Sequence, residues 1–218
     1  MEIIPALNCL DEESLGQWIV KAGEFLPAGR WIHLDISDGN FTPTKTWNES
    51  AHWQELAGQY GWNLEVHLMV EKPEEVIQAW LAAGAKRVLV HVETINRESL
   101  TGILETVAES RVEAMLSSNP DTPIDTIRPY LRDFTRFQVL AVYPGRSGQK
   151  FLPAVLEKIS LLRALRPYAK IEVDGGINAQ TAALAKEAGA DFVVAASYIF
   201  WSENPGRAYE ELQEVISG

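Results

Sequence analysis

The sequence predicts a (β/α)8 barrel, a closed ring of eight parallel strands with a helical connection after each. Three observations predict it. Eight short runs rich in Val, Ile and Leu alternate with segments of helical periodicity along the 218 residues. Their spacing, about 27 residues, is close to the minimum for a strand, a helix and two loops. A weak internal repeat returns after four such units. Ala83-Gly84-Ala85 and Ala188-Gly189-Ala190 each end a helical pattern and lead into an apolar run. Glu65-Val66-His67 and Glu172-Val173-Asp174 lie within corresponding runs. The offsets, 105 and 107 residues, are both near four units. Helix–Gly–strand turns look alike in any α/β protein, so the agreement of two offsets is what favours a ring with related halves. A doubly wound open sheet is the alternative, and no G-x-G-x-x-G follows the first run to support it.

The strands are expected over 2–7, 31–36, 63–69, 87–92, 112–117, 137–142, 170–174 and 191–195. Several are continuously apolar rather than alternating, as parallel strands covered on both faces are. After the first strand, Leu15, Trp18, Ile19, Ala22 and Leu26 recur at helical spacing behind the acidic turn Asp11, Glu12, Glu13. After the third, Pro73 suits a first helical position, Val76, Ile77, Trp80 and Leu81 form an apolar face, and Gly84 suits the stop. Val155, Ile159 and Leu162 form another stripe, and Asn178 suits the N-cap of a helix ending at Gly189. No linker-like or low-complexity stretch interrupts the series, so a single domain over 1–218 is expected.

Composition excludes several kinds of function. Lys and Arg number 19 against 30 Asp and Glu, a net charge of −11. That field repels nucleic acid and anionic lipid, so neither partner is expected. A hydrophobic share of 46% is too high for a disordered chain. The single cysteine, Cys9, excludes an intrachain disulfide and fits a reducing compartment. Residues 1–5 have neither a basic nor a long apolar leader region, and no apolar run approaches a membrane span. A cytoplasmic protein is expected. An anionic ligand would have to find its positive potential locally.

Chemistry in such a barrel sits at the C-terminal ends of the strands. His33 and Asp35 near the end of the second strand, His67 near the end of the third and Asp174 at the end of the seventh stand out there. His33 and Asp35 are two apart and share a face. Facing outward they would meet the helix layer, and facing inward they would meet the barrel mouth. His67 alone reads as a hydrogen-bonded core histidine. The four together form a set of two nitrogens and two oxygens that suits one divalent ion, Zn2+, Fe2+, Mn2+ or Co2+. Strands two and seven are three positions apart round the ring, so Asp35 and Asp174 would approach from opposite sides. Opposed carboxylates beside a metal suit removal of a proton from one face of a carbon and its return on the other. That is epimerisation next to a ketone. His91 either lines the mouth or is structural, and His52 reads as a surface or packing residue.

An anion site is expected where three loops meet. Pro144-Gly145-Arg146-Ser147-Gly148-Gln149 follows the sixth strand, Asp174-Gly175-Gly176 closes the seventh and Ala195-Ala196-Ser197 the eighth. Glycine-lined loops let backbone N–H groups approach an anion, and barrels commonly bind phosphate after strands seven and eight. Residues 197–201 have the length of the short extra helix such sites use. Arg146 either contacts the phosphate or is solvated.

Five collinear segments resemble the ribulose-phosphate 3-epimerase family. They are Trp31-Ile32-His33-Leu34-Asp35-Ile36-Ser37-Asp38-Gly39-Asn40-Phe41, Glu65-Val66-His67-Leu68-Met69-Val70, Asn119-Pro120-Asp121-Thr122-Pro123, Pro144-Gly145-Arg146-Ser147-Gly148-Gln149-Lys150-Phe151 and Glu172-Val173-Asp174-Gly175-Gly176-Ile177-Asn178. The resemblance implies a TIM barrel of the ribulose-phosphate-binding type. It implies a metal-dependent epimerase of a phosphorylated ketose, with D-ribulose 5-phosphate as the leading substrate. His33, Asp35, His67 and Asp174 would hold the metal, and Asp35 and Asp174 would be the acid/base pair. Gly145, Arg146, Ser147, Gly148, Gly175, Gly176, Ala196 and Ser197 would border the phosphate, and His67 and Met69 the sugar. A homo-oligomer is compatible with this reading.

The chain departs from the family pattern around the substrate. Ala6 stands where the family has serine, Ser37 and Leu140 where it has methionines, and Asn40 where it has histidine. Tyr143, Arg146, Ser147 and Ala196 also differ. Of the family's methionine cap only Met69 remains. A pocket that gains Ser37, Tyr143 and Arg146 has different polar demands, which discriminate strongly between substrates. Another sugar phosphate, such as a 6-phosphohexulose, is therefore the alternative, followed by a non-catalytic phosphosugar-binding protein. Aldolase and decarboxylase chemistries commonly place a lysine at a strand end. The second strand offers none, and Lys170 begins the seventh at the wrong end.

Overall fold

The computed structural model describes residues 1–217. The chain runs β1 (Glu2–Leu7), α1 (Glu12–Gly23), β2 (Trp31–Ser37), α2 (Trp53–Ala57), β3 (Asn63–Met69), α3 (Pro73–Ala82), β4 (Arg87–His91), α4 (Arg97–Ser110) and β5 (Glu113–Ser118). It continues through α5 (Ile124–Ile127), β6 (Arg136–Leu140), α6 (Val155–Leu165), β7 (Lys170–Asp174), α7 (Ala179–Ala188), β8 (Phe192–Ala195), α8 (Ser197–Phe200) and α9 (Pro205–Ser217). The strands pair in parallel in chain order, and β1 pairs with β8 from Glu2↔Phe192 to Pro5↔Ala195. The ring is closed, which excludes the open-sheet alternative. Among the described residues, no helix is long and apolar enough to cross a membrane.

Local sequence accounts for the elements. Asp11 caps α1 by accepting from the Ser14 N–H, and Pro73 opens α3. The two repeat-related turns are alike in space. Gly84 ends α3 before β4 and Gly189 ends α7 before β8, with φ of 97° and 107°. The strand ends shift by a residue or two from expectation, most at β6, which ends at Leu140 rather than 142. Two connections carry only short helices. Pro120, Pro123 and Pro129 bracket α5, and each removes a backbone donor. Gly58 and Gly61, the latter at φ 64°, end the turns after α2.

The main core lies between strands and helices. Ile32, Leu34 and Ile36 of β2 and Val66 and Leu68 of β3 are buried there with Leu15, Ile19 and Trp80 of the helices. Alternation sends the intervening side chains to the barrel axis. Near β1 and β8 that interior is apolar, with Ile4, Ala6 and Val194 in contact. Elsewhere it is polar. His33, Asp35, Glu65, His67, Arg87, His91, Gln138 and Glu172 are all buried. His33 and Asp35 thus face inward, toward the mouth.

Candidate active site

β2 and β3 place their functional residues by register. Asp35 pairs with His67, and one step of two residues below lies His33 beside Glu65. Across the ring, β7 ends on Asp174, paired with Leu140 of β6. Both inner imidazoles turn on one carboxylate oxygen. Oδ1 of Asp35 lies 3.2 Å from Nε2 of His33 and 3.0 Å from Nδ1 of His67. Oδ2 of Asp174 is 3.7 Å from the same His67 nitrogen. The four residues singled out in the sequence each offer one ligand atom, and these atoms all lie within 4.8 Å of one another. Two imidazole nitrogens and two carboxylate oxygens converging in this way can hold a divalent metal of the borderline class.

Burial and partners set the charges. Burial alone would raise Asp35, but hydrogen bonds to His33 and His67 outweigh it and hold the carboxyl well below its usual range. Asp174 is pushed up to about 7, by burial first and then by the charge of Asp35. Burial would lower His33, yet Asp35 and Glu65 together hold it well above its ordinary value. His67 is brought down to about 4 by burial, against the hydrogen bond to Asp35.

The surroundings fix orientations. Nδ1 of His33 is 2.7 Å from Glu65 Oε1, whose other oxygen accepts from Arg87. Arg87 also bonds Glu113 at 2.8 Å and lies 3.8 Å from Glu172. His33, Glu65 and Glu172 form a second tight cluster, and Arg87 supplies its cation. On the outer side of Asp35, Asn8 donates to Oδ2 at 2.8 Å and to the Gly145 carbonyl at 2.9 Å. Sequence reasoning missed Asn8, Glu65 and Arg87. The signal for Glu65 was its spacing of two from His67, the same spacing that joins His33 to Asp35.

A pocket opens above this group at the strand C-termini. Asp35, Asp174 and Met69 border it on the barrel side. Gly145, Arg146, Ser147 and Gly148 border it from the loop after β6. Gly175 and Gly176 close β7 against it, with Ala196 and Ser197 beyond β8. His33 and His67 lie behind, fully buried. Gly176 adopts φ 65°, and a Cβ there would stand 2.3 Å from the Phe151 backbone nitrogen. Tyr143 and Arg146 are exposed at the rim, and Arg146 forms no ion pair among the described residues. Ser37 departs from expectation. It lies outside the pocket lining, and its buried hydroxyl is 2.5 Å from both the Thr42 hydroxyl and the Thr44 carbonyl. Its polarity is satisfied locally and does not alter the pocket. His91 sits behind His67, and His52 is an exposed partner of Glu12.

A closed parallel barrel with ionisable groups gathered at the strand C-termini defines the class, a TIM-barrel enzyme. Residues 2–200 match the model of the Ribulose-phosphate 3 epimerase family, and the chain belongs to that family of isomerases acting on carbohydrates. It is 36% identical over 207 residues to the ribulose-phosphate 3-epimerase of Chlamydia pneumoniae, covering 92% of this chain and 88% of that protein. It is 32% identical over 220 residues to that of Bacillus subtilis (strain 168), covering 98% of each. Among solved structures, 3-hexulose-6-phosphate synthase from Salmonella typhimurium aligns with a TM-score of 0.75 at 16% identity, over 100% of this chain and 99% of that one. That likeness is one of fold.

Proposed function

We propose that the protein is a metal-dependent epimerase of a phosphorylated ketose, interconverting D-ribulose 5-phosphate and D-xylulose 5-phosphate. The observation that carries this reading is that Asp35 and Asp174 border one pocket while sharing a four-donor cluster with His33 and His67. A divalent ion held by these four residues would polarise the substrate's ketone and adjacent hydroxyl. The carboxylates have separate duties for their two oxygens. Asp35 turns Oδ1 to the imidazoles, leaving Oδ2, steered by Asn8, to exchange a proton with C3. Asp174 turns Oδ2 toward His67, leaving Oδ1 for the same carbon. One carboxylate takes the proton from one face and the other returns a proton to the opposite face. In the reverse reaction the roles exchange. The backbone around Gly145, Gly148, Gly175, Gly176 and Ser197 receives the phosphate, in keeping with the usual site after strands seven and eight.

The rim supports a second reading of the substrate. Tyr143 and Arg146 add an aromatic hydroxyl and a cation to the pocket's lining beside Gly145 and Gly148. One experiment tests both. Metal-loaded protein is incubated in D2O with a panel of pentulose and hexulose phosphates, and the C3 proton is followed by NMR. Exchange with formation of xylulose 5-phosphate is expected. Faster turnover of a 6-phosphohexulose would move the assignment to that substrate. Binding of phosphosugars without exchange of any of them would overturn the reaction and leave a binding protein.

A further inference from the structure

His33 and His67 meet one requirement in different ways. An imidazole offers a lone pair only from a nitrogen without a proton, so its proton must rest on the other nitrogen. The partner of that other nitrogen decides the tautomer. For His33 the partner is a carboxylate, Glu65, at 2.7 Å. His67 faces the four-donor cluster through Nδ1. Its Nε2 meets no carboxylate among the described residues. It lies 2.8 Å from Nε2 of His91, with the two rings edge to edge, centroids 5.0 Å apart and planes 15° apart.

Two bare nitrogens or two N–H groups do not form this contact, so one ring donates to the other. When His91 donates to a neutral His67, the His67 proton sits on Nδ1 and is given to Asp35 Oδ1 at 3.0 Å. That arrangement blocks a cation. Once a cation takes Nδ1, His67 donates through Nε2, and His91 accepts there and holds its proton on Nδ1. Glu93 Oε2 lies there, at 3.0 Å. The second Glu93 oxygen accepts the Asn119 backbone N–H at 2.8 Å and also the Thr122 hydroxyl. All of Glu93's partners are donors, so a cation on His67 Nδ1 would leave the protons running outward from His67. Phe41 covers His91, ring centroids 4.7 Å apart.

We propose that His91 and Glu93 are positioning residues that hold His67 as its Nε2–H tautomer and so present Nδ1 to the metal. This rests on the reading that the cluster binds a divalent ion. His67 obtains through a second imidazole what His33 obtains directly. The relay also ties the loop after β5, through Asn119 and Thr122, to the centre of the mouth.

Zinc is the probe, with affinity measured by competition against a chelating indicator and tautomers by long-range 15N NMR of the zinc-loaded protein. In wild type, His67 is expected protonated at Nε2 and His91 at Nδ1. His91→Leu should weaken zinc about 10- to 100-fold. His91→Gln keeps an acceptor oxygen for the His67 proton and should recover most of that loss, which a purely structural role would not predict. Glu93→Ala should weaken zinc in the same direction and mix the His91 tautomers. It alters a partly exposed side chain and carries the test should His91→Leu fail to fold. Zinc affinities within twofold of wild type for the folded variants would overturn the relay, as would a His91 protonated at Nε2. A wild type that binds no zinc would overturn the metal reading, and the relay with it.

Discussion

Asp35 and Asp174 belong to the same cluster, yet their surroundings treat them differently. Asp35 collects donors on both oxygens, whereas Asp174, among the described residues, has only His67 within ion-pair distance. If each moves a proton at C3, neither amide replacement can do so. Asp35→Asn and Asp174→Asn should each lower C3 exchange by about 10²- to 10⁴-fold, with unchanged far-ultraviolet circular dichroism. A variant that keeps wild-type exchange would remove that residue from the reaction. The same residues predict a pH dependence. Asp174, pushed up to about 7, and His33, held well above its ordinary value, both carry protons that a cation must displace near neutrality. His67, near 4, carries none to displace. Zinc affinity should therefore rise as pH increases through about 7, with net release of protons. Calorimetry in buffers of different ionisation enthalpy measures that release. Zinc uptake near pH 7 without proton release would mean that Asp174 and His33 are already unprotonated there.

At the scale of elements, α7 shows how a helix start supports the pocket. Asn178 accepts from the Thr181 N–H at 3.0 Å, and the Thr181 hydroxyl accepts from the Asn178 N–H at 2.9 Å. The same hydroxyl reaches the Gly176 carbonyl at 3.0 Å, so the cap also holds the glycine turn. Asn178→Ala should cost about 1 kcal/mol in urea unfolding. A loss indistinguishable from zero would show that water replaces the cap freely. This cap was legible in the sequence because Asn178 precedes a helical pattern ending at Gly189. The strands were legible too, since parallel strands covered on both faces read as apolar runs. The four-donor cluster was legible because its members interrupt those runs near the strand ends. Asn8 was not, because one polar residue after a strand looks like any loop residue. Arg87 was not, because a lysine–arginine pair at a strand start reads as a solvated end. Ser37 misled in the other direction. Its partners Thr42 and Thr44 lie in the following loop, and no periodicity shows that a loop folds back on a strand.

At the scale of the whole molecule, the barrel interior is where charge is concentrated and the fold is most exposed to damage. Arg87 of β4 is 2% exposed, bonds Glu65 of β3 and Glu113 of β5, and lies 3.9 Å from the centroid of the Trp31 ring. Glu172 of β7 is pushed well above its ordinary range, by burial first and then by Glu65. Burial thus favours its neutral form, and the direct hydrogen bond of Arg87 goes to Glu65 rather than to Glu172. Removing one partner of a buried pair leaves the other uncompensated, and this is the expensive kind of change. Arg87→Met should destabilise by about 3–5 kcal/mol, several times the effect of the α7 cap. Replacing both partners with apolar groups removes the stranded charge. The double variant Glu65→Met/Arg87→Met should therefore be more stable than Arg87→Met alone. Its zinc affinity should fall below that of Arg87→Met, because His33 Nδ1 has lost the carboxylate that fixes its tautomer. Urea unfolding and zinc competition on the same three proteins separate the two effects. A double variant that gains stability with no loss of zinc affinity would mean that Glu65 serves the fold alone.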